Sequence, residues 1–142
     1  MDIKFIQIQD LNIDSEKITK IYNQLTECPK LNNTQISNFK NVLCKNTKIY
    51  CMKVNNDIIG FGTIIIEQKI THNLCHVGHI EDIIIDKKFL KKGYGKKLIN
   101  FLISIGRDNN CYKIILNCLE DNILFYEKCG FKQKNVEMSL YF

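Results

Sequence analysis

The chain has little that would divide it or bend it sharply. Only one proline, Pro29, occurs among 142 residues. The sequence contains no Ser/Gly/Pro-rich linker, internal repeat or low-complexity tract, so no domain boundary is marked. A chain of this length buries about 68% of its unfolded surface in one core. We therefore expect one domain over residues 1–142.

Long apolar runs and export signals are also lacking. The longest apolar run lies around residues 58–66, well short of the roughly 20 residues of a membrane span. The first residues, Met1-Asp2-Ile3-Lys4, do not have the basic-then-apolar layout of a signal peptide. These features predict a cytoplasmic protein with no membrane partner.

The cysteines do not form the patterns of a disulfide scaffold or a zinc site. They are odd in number, include no CxxC pair and mostly lie inside apolar runs. We expect them to be reduced, buried thiols of a cytosolic protein. The seven are Cys28, Cys44, Cys51, Cys75, Cys111, Cys118 and Cys129.

The excess of positive charge is small. Twenty Lys and Arg residues face fifteen acidic ones, for a net charge of +5. This is modest for a protein that binds nucleic acid, and we expect no such partner. It favours small anionic ligands such as phosphates.

Hydrophobic periodicity in the first third predicts one strand and two helices. Residues 3–8 fit an opening strand, and Asp14 can cap a first helix that Pro29 ends. Thr34 can cap a second helix. Its apolar face would consist of Ile36, Phe39, Val42 and Leu43.

The middle and end of the chain predict a mixed sheet. Runs at 48–54, 58–67 and 75–86 indicate an antiparallel meander. A helix after Gly93 and a buried strand at 112–116 follow. A short helix through Leu124-Phe125-Tyr126 ends at Gly130, a left-handed C-cap. Strands at 131–132 and 136–142 close the chain. The fold class is α/β (α+β), with a mostly antiparallel mixed sheet flanked by helices.

Two adjacent elements carry the most specific chemistry. The strand ending in Glu81-Asp82-Ile83 bears two neighbouring carboxylates, and the basic turn at 91–96 contains Gly93 and Gly95. Glycines at a helix start let backbone N–H groups wrap a phosphate. The spacing matches neither a Walker A loop nor a Rossmann fingerprint. A tight lysine-rich bend without a ligand is the alternative for this turn taken alone.

The turn resembles the pyrophosphate loop of the GNAT superfamily of acyl-CoA-dependent N-acetyltransferases. The loop pattern is Gln/Arg-x-x-Gly-x-Gly/Ala after a long apolar strand, and Leu90-Lys91-Lys92-Gly93-Tyr94-Gly95 occupies it here. Leu90 stands where the family has Gln or Arg, which removes one side-chain contact to phosphate. The resemblance implies the GNAT fold and acetyl-CoA as co-substrate.

Further segments resemble the glucosamine 6-phosphate N-acetyltransferases within that superfamily. The match runs over about the last 80 residues and is weaker before them, mainly at Leu25-Thr26. It implies glucosamine 6-phosphate as acceptor and a homodimer. The segments are 67–72, Gly-His-Ile-Glu-Asp-Ile at 78–83, 110–116, Asn122 and 125–131.

The resemblance assigns two sets of binding residues. For acetyl-CoA they are Ile83, Ile84, Ile85, Lys91, Lys92, Gly93, Tyr94, Gly95, Lys96, Asn117, Asn122, Tyr126, Glu127 and Lys128. For the sugar phosphate they are Thr26, Lys69, Ile70, Thr71, His72, Glu81, Asp82, Ile83, Tyr112 and Lys113.

Three residues are the expected catalytic groups. Asp82 or Glu81, through water, would take the proton of the attacking amine, and a backbone N–H near Ile83 would stabilise the oxyanion if a β-bulge aims it inward. Tyr126 would donate a proton to the departing thiolate. Asn117 stands where relatives carry an acid, and an amide cannot be a general base, so we place proton removal on Asp82 with water.

Other interpretations remain open at this point. The final residues, Ser139-Leu140-Tyr141-Phe142, lack the arginine that the family contributes to the sugar phosphate across the dimer, and we expect this strand to pack at the dimer interface. Two rival functions remain. The protein would be either a member of the superfamily that acetylates a peptide or polyamine, or a non-catalytic acyl-CoA-binding module. We expect no metal, because an extended segment does not converge its zinc-type side chains, which are His72, Cys75, His76 and His79.

Overall fold

Five strands and five helices make up the fold in a computed structural model that describes residues 1–142. The strands are β1 (Ile3–Gln7), β2 (Thr47–Val54), β3 (Asp57–Gln68), β4 (His76–Ile85) and β5 (Cys111–Leu116). The helices are α1 (Ser15–Tyr22), α2 (Asn33–Val42), α3 (Thr71–Leu74), α4 (Tyr94–Asp108) and α5 (Ile123–Glu127).

The strands form one mixed sheet in the order β1-β2-β3-β4-β5. The first four pair antiparallel as a meander, and β5 pairs parallel to β4 after the crossover through α4. This confirms the predicted mixed, mostly antiparallel sheet. Because β5 is last in the order, its outer edge has no neighbouring strand.

Helices cover both faces of the sheet, but unequally. On one face, α4 buries Leu98 and Leu102 against Ile64 and Ile80. On the other, α1 and α2 pack around Ile18, Ile21 and Ile36 against Cys51 and Phe61, and α1 also reaches β4. Farther along that second face Val77 is buried, whereas His79, Glu81, Lys113 and Ile115 are half-buried or exposed. We call the part formed by these four residues the uncovered face.

The helix starts are mostly as predicted. Asp14 caps α1, accepting from the Glu16 amide, and Gly93, with φ +78°, precedes α4. The Thr34 cap is wrong, because the N-cap is Asn32, two residues earlier, which forms a reciprocal capping box with Gln35.

The helix boundaries and faces differ from expectation in two respects. The first helix ends at Tyr22, well before Pro29, and continues only as hydrogen-bonded turns. In α2 only Ile36 is buried, whereas Phe39 and Val42 are exposed, because α2 touches the protein along a narrow strip.

The last part of the chain departs most from prediction. Residues 131–142 form no strand, so the predicted strands at 131–132 and 136–142 are wrong for the isolated chain. For the same reason β5 is not buried: with no neighbour on its outer edge, its side chains are exposed or half-buried. All seven cysteines are free, but only Cys51 is buried, so the predicted burial is confirmed for Cys51 and wrong for the other six. None of the helices is long and apolar enough to cross a membrane.

Candidate active site

The two parallel strands separate part-way along β4. Their pairing ends at Ile80 and Leu116, although β4 continues to Ile85. The edge of β4 that faces β5 is therefore unpaired from Glu81 onward. An opening of this kind can accept an extended ligand that continues the backbone hydrogen bonding of β4.

A β-bulge lies at the start of this opening. Phe61 pairs with Ile84 and Thr63 with Glu81, so Gly62 faces both Asp82 and Ile83. Asp82 takes the left-handed conformation, with φ +50°, which is costly for a non-glycine residue. The bulge on which the expected oxyanion role depends is thus present, and the extra residue breaks the alternation of side chains and backbone groups along the strand.

The bulge changes how the adjacent carboxylates are placed. In a regular strand Glu81 and Asp82 would point to opposite faces. Asp82 instead lies close enough to Glu81 and to the Tyr22 phenol to influence the pKa of both. Burial, then the Asp82 charge, raises the pKa of Glu81, while His79 opposes the rise. Glu81 therefore binds a proton more readily than an ordinary glutamate.

The basic turn forms a backbone surface for an anion. The backbone amides of Lys91, Lys92 and Gly93 donate to no protein acceptor, and the first hydrogen bond of α4 joins the Lys97 amide to Gly93 O at 3.2 Å. The first-turn amides before Lys97 are free for a ligand by helix geometry. A Cβ added at Gly93 would meet nothing within 4 Å, so the space above these amides is open. This donor set fits the pyrophosphate of acetyl-CoA.

Tyr126 lies on α5 and packs against the main hydrophobic core. Its ring packs edge-on against Phe125 at 5.0 Å and Phe131 at 6.1 Å between centroids. Burial raises the pKa of Tyr126 to about 12, with smaller contributions from Cys118 and Cys129. The phenol therefore stays protonated at neutral pH and can only donate to an anion beside it.

A charged cluster lies on the uncovered face beside β4. Glu67 accepts from Lys69 Nζ and from His79 Nε2, each at 2.6 Å. These two hydrogen bonds lower the pKa of Glu67, the one from Lys69 more strongly. Nearby, the His72 ring stacks on Tyr112 at 4.3 Å between centroids.

The strand register places a further cation on this face. Lys113 pairs with Val77 and Ile115 with His79, so Lys113 shares the face of His79 and Glu81. Lys69 is tied to the same face by its bond to Glu67, so two cations are available there to a phosphate. Of the residues predicted for the sugar phosphate, Lys69, Glu81 and Lys113 are therefore brought to one face, whereas the Ile70 side chain is almost fully exposed.

The remaining predicted residues lie in turns or at the ends of helices and strands. Thr26 lies in the turn after α1, its amide bonded to Tyr22 O. Asn117 directly follows Leu116, the last residue of β5 that pairs with β4. Its side chain is exposed. Asn122 precedes α5 without a side-chain cap, while Glu127 and Lys128 are exposed at its end.

The histidines considered as metal ligands have other partners. His76 Nδ1 lies 2.8 Å from Asn109 O, while His79 bonds Glu67 and His72 stacks on Tyr112. No three His, Cys, Asp or Glu side chains are grouped closely enough to hold a metal ion.

Two contacts of the site were not foreseen from the sequence. The Glu67–His79 pair is diagonal across β3 and β4, and only the strand register reveals it. Gln24, after α1, accepts from the Lys87 amide at 2.9 Å, and so joins the loop that contains Thr26 to the segment between β4 and the basic turn. Nothing in the local sequence signals a contact across 63 residues.

The bulged strand, the separated strands and the amide-lined helix start define an acyl-CoA-dependent transferase fold. Residues 16–131 match the family model described as acetyltransferase (GNAT) family. The chain belongs to the GNAT acetyltransferase family.

Several individual relatives of this chain carry the same enzyme name. Glucosamine 6-phosphate N-acetyltransferase 1 of Dictyostelium discoideum is 37% identical over 96% of this chain and 90% of its own length. The enzyme of that name from Arabidopsis thaliana is 41% identical over 63% of this chain, a match that spans 60% of the relative's length. The crystal structure of glucosamine-6-phosphate N-acetyltransferase from Arabidopsis thaliana superposes with a TM-score of 0.86 at 31% identity, covering 100% of this chain and 99% of that one.

Proposed function

We propose that the protein transfers the acetyl group of acetyl-CoA to the 2-amino group of glucosamine 6-phosphate. The products are N-acetylglucosamine 6-phosphate and CoA. The observation that carries this proposal is the position of the bulge at Glu81 and Asp82, which lies between the amide-lined start of α4 and the cationic face around Lys69 and Lys113. The names of the relatives described above point to the same reaction.

The two substrates would approach from opposite sides of the bulge. The pyrophosphate of acetyl-CoA would bind the backbone amides of residues 91–96, and its pantetheine arm would enter the opening beside β4. The sugar would lie on the uncovered face, with its phosphate near Lys69, His72 and Lys113. This arrangement brings the amine to the thioester for direct attack in a ternary complex.

The acceptor needs little help to lose a proton. An amine beside hydroxyl-bearing carbons should titrate near an α-amino group, at a pKa of about 7.7–8.0. A carboxylate at the bulge, directly or through water, would remove the proton as the C–N bond forms. A backbone N–H of the bulge near Ile83 or Ile84 would stabilise the oxyanion. Because Asn117 cannot be a base, this role stays with Asp82 and Glu81.

Tyr126 would assist the leaving group. As the C–S bond breaks, negative charge develops on the sulfur, and a protonated phenol can donate a hydrogen bond to it. The Tyr126 pKa of about 12 keeps the phenol protonated throughout the neutral range.

We further propose that the active form is a cytoplasmic homodimer. The alternating apolar residues Val136, Met138 and Leu140 are exposed in the isolated chain and would share one face of an extended strand. Beside them, β5 has an unpaired edge, and a groove of about 900 Å³ separates it from residues 131–137. The tail of a second copy fits this groove as an added strand. Seven free thiols are consistent with a reducing compartment.

The dimer is tested by the mass in solution. Light scattering should give twice the chain mass for the wild type and for the control Ser139→Lys, and a monomer for Met138→Lys combined with Leu140→Lys. A dimeric double variant, or a monomeric wild type, contradicts the proposal.

The reaction is tested by thiol release from acetyl-CoA with four acceptors. Glucosamine 6-phosphate should give a far higher kcat/KM than glucosamine, spermidine or lysine-containing peptides. Equal rates with and without the phosphate would rule out the sugar-phosphate assignment. Preference for spermidine or a peptide would support the rival acceptor classes, and no release with any acceptor would favour a non-catalytic acyl-CoA-binding module.

A further inference from the structure

Glu67 and His79 form a carboxylate–imidazole dyad that has no role in the acetyl transfer proposed above. The 2.6 Å contact joins Glu67 Oε2 to His79 Nε2, while Glu67 Oε1 is held by Lys69 Nζ at the same distance. Both carboxylate oxygens are therefore engaged, which fixes the orientation of the carboxylate. The His79 side chain is only 29% exposed, so the ring is held against the sheet and is still reachable by water.

This contact determines which ring nitrogen is available. An ionised carboxylate only accepts hydrogen bonds, so Nε2 carries the hydrogen that bonds Glu67. In the neutral imidazole, Nδ1 is then the nitrogen with a free lone pair. A proton taken up at Nδ1 gives an imidazolium whose Nε2–H still points at Glu67. The dyad thus has the arrangement that orients a histidine to accept a proton.

The strand places this ring near Glu81. His79 and Glu81 are two residues apart before the bulge, and their partners on β3 are Ile65 and Thr63. They therefore point to the same face, about 7 Å apart along the strand, a span that one water molecule can bridge. The two charges interact, since His79 lowers the pKa of Glu81 against the effects of burial and Asp82.

We propose that His79, oriented by Glu67, receives through water the proton that Glu81 takes from the acceptor amine. The inference rests on the proposed function and makes His79 a positioning residue that acts through Glu81. Because the Asn117 amide cannot act as a base, the proton of the amine leaves through Glu81 and His79. Asp82 then shapes the bulge and the charge around Glu81.

The proton path is balanced without any further reactant. The amine nitrogen forms its bond to the thioester carbon and loses a proton to Glu81, while the C–S bond breaks and CoA leaves as a thiolate that takes a proton from solvent. Glu81 passes a proton to the bridging water as that water gives one to His79 Nδ1. The imidazolium then releases its proton to solvent, and both groups are restored for the next turnover.

Several charged groups surround the dyad and enter its pH dependence. Glu67 and Lys69 lie on β3 and in the loop after it, and Glu81 and Asp82 lie on β4. Lys113 on β5 shares the face of His79. Glu137 of the tail is near enough to raise the pKa of Glu81 slightly.

The decisive variant is His79→Gln, because the glutamine amide can still donate to Glu67 but cannot take up a proton near neutral pH. We expect kcat for glucosamine 6-phosphate to fall at least about tenfold. A group that transfers the proton directly typically contributes about 100-fold or more, and His79 acts only through Glu81. The KM for the sugar phosphate should change less than twofold. One ionisation in the profile of kcat against pH should disappear. Glu67→Gln, which removes the charge but keeps an acceptor, should give a smaller fall.

The matched control is His76→Asn on the same strand. The asparagine amide can replace the Nδ1 donor to Asn109 O, and kcat and its pH profile should match the wild type. Thermal melting of each variant reports whether it is folded.

Three results would overturn the proposal. The first is a folded His79→Gln with kcat within twofold of the wild type, and the second is an unchanged pH profile. The third is a loss confined to the KM of the sugar phosphate, which would make His79 a binding residue. If His79→Gln does not fold, a Glu67→Gln variant with wild-type kcat and pH profile overturns it. A wild type that does not acetylate glucosamine 6-phosphate would instead refute the proposed function itself.

Discussion

Replacing Tyr126 with phenylalanine removes one hydroxyl and leaves the ring. The ring keeps its edge-on contacts with Phe125 and Phe131, so the fold of this segment should not change. The variant therefore isolates what the phenol contributes when the thioester reacts.

The pKa of Tyr126 determines how the phenol can act. A CoA thiol with a pKa near 8.5 is the stronger acid, so full proton transfer from a phenol of pKa about 12 is uphill by about 5 kcal/mol. The phenol therefore stabilises the departing sulfur as a hydrogen-bond donor, and the proton that completes the thiol comes from solvent. A hydrogen bond to a charged group contributes about 1.5–3 kcal/mol. Its loss should lower kcat about 10- to 150-fold.

The assay is single-turnover acetyl transfer, which separates the chemical step from product release. We expect the KM for acetyl-CoA to change less than threefold in Tyr126→Phe. The control Tyr50→Phe removes another phenol, on β2, which packs edge-on against Phe101 at 4.8 Å, and it should retain the wild-type rate. A single-turnover rate of Tyr126→Phe within twofold of the wild type would refute the donor role. A change only in acetyl-CoA affinity would also refute it.

Three other changes test the geometry of the site. Gly93→Ala places a side chain at φ +78°, which costs about 1 kcal/mol of strain; calorimetry should show weaker acetyl-CoA binding, and unchanged binding would contradict the phosphate role. Asp82→Asn removes a charge that raises the pKa of Glu81; activity needs the carboxylate, so the acid limb of the pH profile should move to lower pH, and an unmoved limb would contradict the coupling. Burial first, then Asp82, raises the pKa of Tyr22 above its ordinary value of about 10. The stability from the neutral phenol is therefore present below about pH 10 and lost as pH rises. In urea unfolding, the free energy of unfolding of Tyr22→Phe should fall less above about pH 10 than that of the wild type.

Patterns that are local in sequence predicted most of the fold. The strands of the meander and the start of α4 at Gly93 follow from apolar runs and glycine placement, because these depend on near neighbours. The N-cap of α2 was predicted at Thr34, two residues after the actual cap, Asn32. The capping box with Gln35 favours Asn32.

Features that depend on distant partners could not be predicted in the same way. The tail at 136–142 has the alternation of a strand, but a strand needs a neighbour, and the isolated chain supplies none. A bulge near Ile83 entered the sequence argument only as a condition for the oxyanion role, and the left-handed backbone at Asp82 follows from the register against Gly62. The link between Glu67 and His79 depends on the same register, and no spacing rule along the chain would find it.

The identity of the acetylated product tests the central claim most directly. The purified protein should be incubated with equal concentrations of glucosamine 6-phosphate and glucosamine at limiting acetyl-CoA, and the products identified by mass spectrometry and NMR. The account predicts N-acetylglucosamine 6-phosphate, acetylated at the 2-amino nitrogen, as nearly the sole product. Equal amounts of the two N-acetyl sugars, or acetyl-CoA left unconsumed, would contradict it.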